Sequence, residues 1–181
     1  MPLDVVRLAE KAAKPWRNGG GLTSELVSGP SCNATPGWRI SIAQIDCSGP
    51  FSLIPGYDRT LTLISGRATL GVEHETVALT PRKPVQFRGD ILTEVRIGRS
   101  RALALNVMTD RRLYSHSVEI IQSGGNIQPT ESGQANYVVA LTGGRIGKAE
   151  LAPGDLLWRS FPDPLLRSGV IAALIRIVAI A

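Results

Sequence analysis

Three consecutive glycines follow a tryptophan, an arginine and an asparagine in residues 14–23, which read Lys-Pro-Trp-Arg-Asn-Gly-Gly-Gly-Leu-Thr. Glycine lets the backbone adopt conformations closed to other residues and approach a ligand closely. The indole of Trp16 offers an apolar wall, and the guanidinium of Arg17 offers five donors in a planar fork that suits a carboxylate or phosphate. The stretch indicates an anion-binding loop. The alternative is a rigid turn in which Trp16 plugs the end of a barrel and Arg17 is solvated.

Further donors that suit an acidic ligand are spread along the chain. Arg39 lies on the polar face of a predicted strand, Arg59 at the start of another, and Asn106 within an apolar run. A buried amide without a partner costs about 1–3 kcal/mol, so Asn106 must contact a backbone group or a ligand. The predicted ligand-binding residues are Trp16, Arg17, Asn18, Gly19, Arg39, Arg59 and Asn106. For Arg39 and Arg59 the alternative is an ion pair with Asp58 or Glu25 that fixes a barrel end.

Catalytic and metal chemistry find little support in the sequence. The chain has two histidines, His74 and His116, so a single chain cannot supply a three-histidine metal site. No Gly-x-Ser-x-Gly nucleophile motif is present. We therefore predict no metal, no cofactor and no catalytic residue. Acid–base chemistry by Glu25, Asp58 and Glu94 stays open, because the fold could bring these carboxylates together.

Composition favours an all-β protein that binds a small molecule. Of 181 residues, 43% are hydrophobic and 19% charged, which is typical of a globular chain, and 19 glycines and 12 prolines separate short β-branched runs. Lysine and arginine exceed aspartate and glutamate by 20 to 15. This excess is spread along the chain, so it predicts a basic pocket for an acidic metabolite and no nucleic-acid partner.

Strand signals recur about every ten residues between glycine and proline turns, as in a sandwich or jelly roll. In residues 38–45, Trp38, Ile40 and Ile42 alternate with more polar positions, which predicts a strand with two different faces. Further strands are predicted at 4–8, 22–27, 59–64, 68–72, 76–79, 84–87, 91–97, 102–108, 113–121, 137–141, 145–151, 156–159 and 170–180.

An internal repeat divides the chain into two halves. Residues 60–68 and 137–145 both read as strand, glycine turn and strand, and each is followed by a Gly-Asp turn, at residues 89–90 and 154–155. This is the order of a double-stranded β-helix. It predicts an N-terminal barrel over residues 1–112 and a C-terminal barrel over 113–181, packed as one globule.

The chain is expected to be cytoplasmic and to have no membrane partner. Its start lacks a cationic segment followed by an apolar core, and Cys32 and Cys47 form no C-x-x-C pair. The longest apolar run, residues 170–181, is about 12 residues long, whereas a membrane helix needs about 20. We expect that run to cap a barrel or to pair across the two-fold axis of a possible homodimer.

Five motifs in order resemble the HutD/Ves family: residues 14–21, 38–43, 49–52, 55–61 and 105–108. The resemblance implies a bicupin-like fold, with a degenerate second barrel and possible strand exchange between the halves. It also implies a non-enzymatic protein that binds an intermediate of histidine breakdown, such as a formyl- or formimino-glutamate, and regulates histidine utilisation. The alternatives are a metal-independent cupin enzyme that uses pocket carboxylates and a scaffold with a vestigial pocket, whose polar groups would pair with one another.

Overall fold

Short strands with apolar residues on one or both faces build most of the described molecule. The computed structural model describes residues 4–30, 35–122, 133–146, 149–158 and 170–180. A 3-10 turn, Leu8–Glu10, follows the first strand. The strands are β1 (Asp4–Val6), β2 (Ala13–Pro15), β3 (Gly21–Gly29), β4 (Trp38–Ile45), β5 (Gly49–Pro50), β6 (Tyr57–Ser65), β7 (Ala68–Val72), β8 (Glu75–Leu79), β9 (Val85–Arg88), β10 (Thr93–Ile97), β11 (Ala102–Asp110), β12 (Tyr114–Ile121), β13 (Gln134–Ala140), β14 (Gly144–Ile146), β15 (Ala149–Leu151), β16 (Leu156–Trp158) and β17 (Ala172–Ala179).

The strands form three main sheets. A central six-stranded sheet has the order β2-β3-β4-β11-β6-β9, and a four-stranded sheet has the order β5-β10-β7-β8. A five-stranded sheet, β1-β16-β13-β17-β12, belongs mainly to the second half of the chain, and β14 pairs with β15. Every strand pairing is antiparallel. The all-β prediction is confirmed.

The central sheet is covered on both faces. Its inner face and the four-stranded sheet share an apolar core that includes Leu61, Leu63, Leu70 and Val95. Its outer face packs against the five-stranded sheet through residues such as Ile40. Strand β4 shows both faces: the predicted apolar face, with Trp38, is buried against the second half, and the face with Arg39 lines the barrel interior.

In each Gly-Asp turn of the repeat, the aspartate accepts a hydrogen bond from a backbone N–H that is distant in sequence. Asp90 accepts a hydrogen bond from Gly56 N–H at 2.6 Å, and Asp155 accepts one from Leu8 N–H at 2.9 Å. Asp155 also accepts from Arg7 at 2.7 Å. Burial alone would raise the pKa of Asp155, but these hydrogen bonds outweigh it, and the pKa lies below its usual value. Asp155 thus holds the start of the chain against the second half.

Two expectations about the ends of the chain need correction. The first strand ends at Val6, and the 3-10 turn then places Leu8 against Gly154. Strand β17 lies between β13 and β12, so it is an interior strand and has no free edge for pairing across a two-fold axis. Within the described ranges, no helix is long and apolar enough to cross a membrane. Most of the segment between the strands predicted at 113–121 and 137–141 lies outside the described residues.

A neutral histidine joins the central sheet to β12. His116 Nε2 contacts the hydroxyl of Thr60 at 2.8 Å, and its Nδ1 contacts the hydroxyl of Thr109 at 2.7 Å. Burial lowers the pKa of His116 to about 4, although the negative charge of Asp58 acts in the opposite direction. In the neutral ring one imidazole nitrogen donates to one hydroxyl and the other accepts from the second, so both threonines are hydrogen-bonded to His116.

Acidification from pH 7 to pH 5 should lower the free energy of unfolding by about 2 kcal/mol through His116 alone. The unfolded histidine binds a proton near pH 6.5 and the folded one only near pH 4, so between these values the unfolded state takes up more protons. Urea unfolding of His116→Gln at pH 5, 6 and 7 should give a free energy of unfolding that falls less steeply with decreasing pH than that of the wild type. The matched variant His74→Gln, at an exposed turn, is the control for removal of a histidine. Parallel pH profiles for wild type and His116→Gln would contradict the assignment.

Candidate functional site

The glycine stretch forms a tight loop that docks on the edge of the barrel. Gly19 adopts a positive φ of 68°, and its N–H donates to Trp16 C=O at 3.0 Å. A Cβ on Gly21 would stand 2.2 Å from the backbone oxygen of Gln44, so only glycine allows β3 to approach β4 there. Asn18 accepts from Gly20 N–H and donates to Pro50 C=O at 3.1 Å, which ties the loop to β5.

The loop closes one side of a cavity of about 300 Å³ at one end of the N-terminal barrel. Strands β4, β11 and β6 supply its floor, because their inward positions lie side by side. Met108 is paired with Arg39 on one side and Arg59 on the other, and Asn106 is paired with Ser41 and Leu61 in the next row. The cavity is lined by Trp16, Arg17, Asn18, Thr23, Arg39, Ala43, Pro50, Phe51, Ser52, Ile54, Arg59, Leu61 and Asn106.

Arg59 is a buried cation without a carboxylate partner among the described residues. It is 7% exposed, and its guanidinium carbon lies 5.1 Å from the ring centre of Phe51 and 4.9 Å from that of Phe87. Its contacts to Ser52 C=O and Asn106 Oδ1 are both long, at 3.5 Å, and its Nε has no acceptor. Burial, followed by the charge of Arg39, lowers the pKa of Arg59 to about 10. At neutral pH it stays protonated.

The guanidinium of Arg39 also has few good hydrogen-bond acceptors. Its Nη2 donates to the thioether sulfur of Met108 at 3.2 Å, and its Nε is buried without an acceptor. A thioether is a weak acceptor, so this contact offsets little of the cost of removing a guanidinium from water. Arg39 and Arg59 therefore give the cavity two positive charges that no described carboxylate neutralises.

The neutral polar groups of the cavity add donors. Thr23 Oγ1 accepts from the indole Nε1 of Trp16 at 2.7 Å, which leaves the hydroxyl hydrogen of Thr23 available. Asn106 is buried, and within the described structure its Nδ2 has no hydrogen-bond acceptor. Trp16 and Phe51 meet edge to face with ring centres 5.8 Å apart and form an apolar wall. The arrangement is suited to an anion with a short hydrocarbon part.

The ion pairs expected as an alternative for Arg39 and Arg59 are wrong. Asp58 binds Arg111 at 3.1 Å, because neighbouring residues on a strand point to opposite faces and Asp58 faces away from Arg59. Glu25 accepts from Ser28, and Glu94 pairs with exposed Arg96. The three carboxylates are thus held by separate partners and do not meet. Among the described residues, no three His, Cys, Asp or Glu side chains are grouped closely enough to hold a metal.

Six of the seven predicted binding residues line the cavity, and Gly19 does not. Arg17 lies at the exposed mouth, and both polar atoms of the Asn18 amide are occupied by backbone groups. Phe51 and Phe87 were missed. Phe87 pairs with Arg59 across β6 and β9, a long-range register that motif spacing does not reveal. Phe51 stands in the Gly-Pro-Phe-Ser motif of residues 49–52, where a Gly-Pro pair is typical of a turn and does not indicate a cation partner.

Comparison with known proteins identifies the family. The model of the HutD family matches residues 8–170. The chain belongs to the HutD family. It is 37% identical over 99 residues to Protein Ves of Citrobacter koseri, covering 53% of this chain and 52% of that protein. It is also 42% identical over 66 residues to an uncharacterised 21.2 kDa protein in the hutC 3' region of Pseudomonas putida, over 35% of this chain and 34% of that protein. These matches span about half or less of the curated relatives' lengths.

Solved structures place the HutD-family chain among cupin-like folds. The structure of HutD from Pseudomonas fluorescens SBW25 superposes with a TM-score of 0.83 at 27% identity, over 99% of this chain and 100% of that one. A cupin 2 conserved barrel domain protein from Leptotrichia buccalis superposes with a TM-score of 0.57 at 9% identity, over 99% and 98%. The second likeness concerns the fold alone. The predicted cupin-like architecture and family resemblance are confirmed.

Alanine at Gly21 should destabilise the loop more than alanine at Gly19. Gly21→Ala places a methyl group against backbone, which cannot move freely, and should cost about 3 kcal/mol. Gly19→Ala has open space but retains a positive φ, which costs about 1 kcal/mol. Gly71→Ala in β7 is the control, because its nearest neighbour would be 3.8 Å away. Urea unfolding of the three variants would contradict this account if Gly21→Ala matched Gly71→Ala.

Replacing Arg59 by methionine should stabilise the ligand-free protein by about 1–3 kcal/mol. The depressed pKa means that folding disfavours the charged form of Arg59 by about 3 kcal/mol, and a thioether packs well against two phenyl rings. Chemical unfolding at neutral pH without ligand measures the difference. The exposed Arg96→Met should change stability by no more than about 0.5 kcal/mol. A clear loss of stability in Arg59→Met would mean that the guanidinium is already well compensated.

Proposed function

We propose that the protein binds a small acidic metabolite in the barrel cavity, as a sensor or buffer and not as an enzyme. The observation that carries the proposal is Arg59, a buried guanidinium held by two phenyl rings and by no carboxylate among the described residues. Leaving a buried charge unpaired lowers stability. Such a cost is expected where a ligand supplies the missing charge, since functional sites commonly retain strained or unsatisfied groups.

The ligand we propose is a formyl- or formimino-glutamate-like intermediate of histidine breakdown. The HutD/Ves family is linked to the histidine-utilisation region, and one relative is named for its position beside hutC. Such a compound carries two carboxylates on a short hydrocarbon chain. The cavity offers donors from Arg39, Arg59 and Asn106 beside the apolar wall of Trp16 and Phe51. A volume of about 300 Å³ lies at the small end of ligand sites, as a metabolite of this size requires.

The alternatives gain less support from the cavity. The described lining contains no Asp, Glu, His, Cys, Lys or Tyr side chain, so a general base would have to come from the ligand or from water. The carboxylate-dependent enzyme is disfavoured for this reason. A vestigial pocket should have its polar groups paired with one another, whereas Arg39 Nε and Arg59 Nε are both unpaired. In this proposal, regulation of histidine utilisation follows from occupancy of the cavity.

N-formyl-L-glutamate and N-formimino-L-glutamate should raise the thermal unfolding midpoint of the wild type in a saturable way. A ligand that binds only the folded state adds about 2.7 kcal/mol of stability at a hundredfold excess over its dissociation constant. Arg59→Met should fold and show no shift, while Arg96→Met, at an exposed arginine outside the cavity, should shift as the wild type does. Calorimetric titration gives the affinities. Absence of a shift at millimolar concentration would overturn the ligand, and a full shift in Arg59→Met would overturn the site.

A further inference from the structure

Arg39 makes a contact that a better acceptor could readily replace. Its Nη2 donates to Met108 Sδ at 3.2 Å, and its Nε is buried without an acceptor. Sulfur in a thioether accepts hydrogen bonds weakly, whereas a carboxylate forms short, charge-assisted bonds to both ends of a guanidinium fork. A carboxylate within hydrogen-bonding distance would therefore replace Met108 as the acceptor for Arg39.

The surroundings of Arg39 leave room for this movement. Its side chain lines the main cavity and also two adjoining depressions. One, of about 340 Å³, includes Leu53 and Tyr57, and the other, of about 360 Å³, includes Lys14 and Glu25. Arg39 as a whole residue is only partly buried, and its side chain borders all three spaces. These spaces give the guanidinium room to change its partner.

The two arginines of the cavity differ in burial and in contacts. Arg59 is buried and fixed against Phe51 and Phe87. Arg39 lies one strand beyond Met108 on the same face, so the two guanidiniums come from positions about 10 Å apart at the backbone. Each positive charge disfavours the other, and Arg39 contributes to the lowered pKa of Arg59. A singly charged ligand on Arg59 leaves Arg39 without a counter-charge, and a second anionic group supplies one.

We propose that Arg39 leaves Met108 when ligand binds and pairs with the second anionic group, so that it selects doubly over singly anionic ligands. This inference rests on the proposed function, since it assumes that Arg59 holds the first carboxylate. Arg59 then determines whether an acid binds at all. Arg39 determines how many charges the bound acid carries.

The matched probes are N-formyl-L-glutamate and N-formyl-L-glutamine, which have nearly the same shape and differ by one negative charge. Calorimetric titration of the wild type should give at least tenfold tighter binding of the glutamate compound. In Arg39→Gln that preference should fall to about twofold, because the loss of affinity is larger for the glutamate compound than for the glutamine compound. The control Arg96→Gln should keep the wild-type preference, because Arg96 pairs with Glu94 outside the cavity.

The role of Met108 has its own test. Met108→Leu removes the sulfur acceptor at similar volume. In this variant, Arg39 breaks no hydrogen bond to residue 108 when ligand binds. We expect the glutamate compound to bind two- to threefold more tightly to this variant and the glutamine compound to bind as before. An unchanged or weaker affinity for the glutamate compound would overturn the transfer from Met108.

Failure of this inference and failure of the proposed function give different results. Equal binding of both compounds to the wild type, or an equal loss of both in Arg39→Gln, would overturn selection by Arg39 and leave the acid-binding cavity standing. Binding of neither compound to the wild type at millimolar concentration would overturn both. A circular dichroism spectrum and an unfolding transition for Arg39→Gln establish that its affinities are those of a folded protein.

Discussion

The central sheet has to be buried on both faces, and this constraint organises the molecule. Its outer face carries Ile40, Leu105 and Val107, which pack against the second half of the chain. Its inner face is apolar only towards one end, where Leu63 and Ala104 lie. At the other end the inward positions are Arg39, Arg59 and Asn106. The same three strands thus supply a hydrophobic core at one end and a polar cavity at the other.

The aromatic side chains beside Arg59 stabilise its positive charge without neutralising it. Phe51 and Phe87 attract the guanidinium of Arg59 through their ring faces, but a ring quadrupole offsets only part of the cost of burying a cation. A carboxylate in their place would form an ion pair with Arg59 and cancel its charge. The described lining has aromatic side chains and no acidic ones, and both features leave the positive charge of Arg59 uncancelled.

Local patterns predicted much of the fold. Strand β4 was predicted with its observed bounds because Trp38, Ile40 and Ile42 alternate with Arg39 and Ser41, and because proline and glycine precede the segment. Asn106 was a candidate because a buried amide in an apolar strand needs a partner, and Arg59 because a guanidinium at the start of a strand offers donors to an acid. The alternation of side chains along a strand already places Asp58 and Arg59 on opposite faces, so the expected ion pair between them was inconsistent with the strand predicted there. Cross-strand neighbours were not accessible, since the pairing of Arg59 with Phe87 depends on a register between distant segments.

The first strand has a partner that lies at the other end of the chain. Residues Asp4–Val6 pair with Leu156–Trp158, and Arg7 binds Asp155. During synthesis, β1 therefore leaves the ribosome long before β16 exists, and closing so long a loop is slow. The apolar outer face of the central sheet likewise has no cover until the five-stranded sheet is made. A nascent chain that has completed the cavity thus still exposes this apolar face, and its protection from aggregation depends on how quickly translation delivers the strands of the five-stranded sheet.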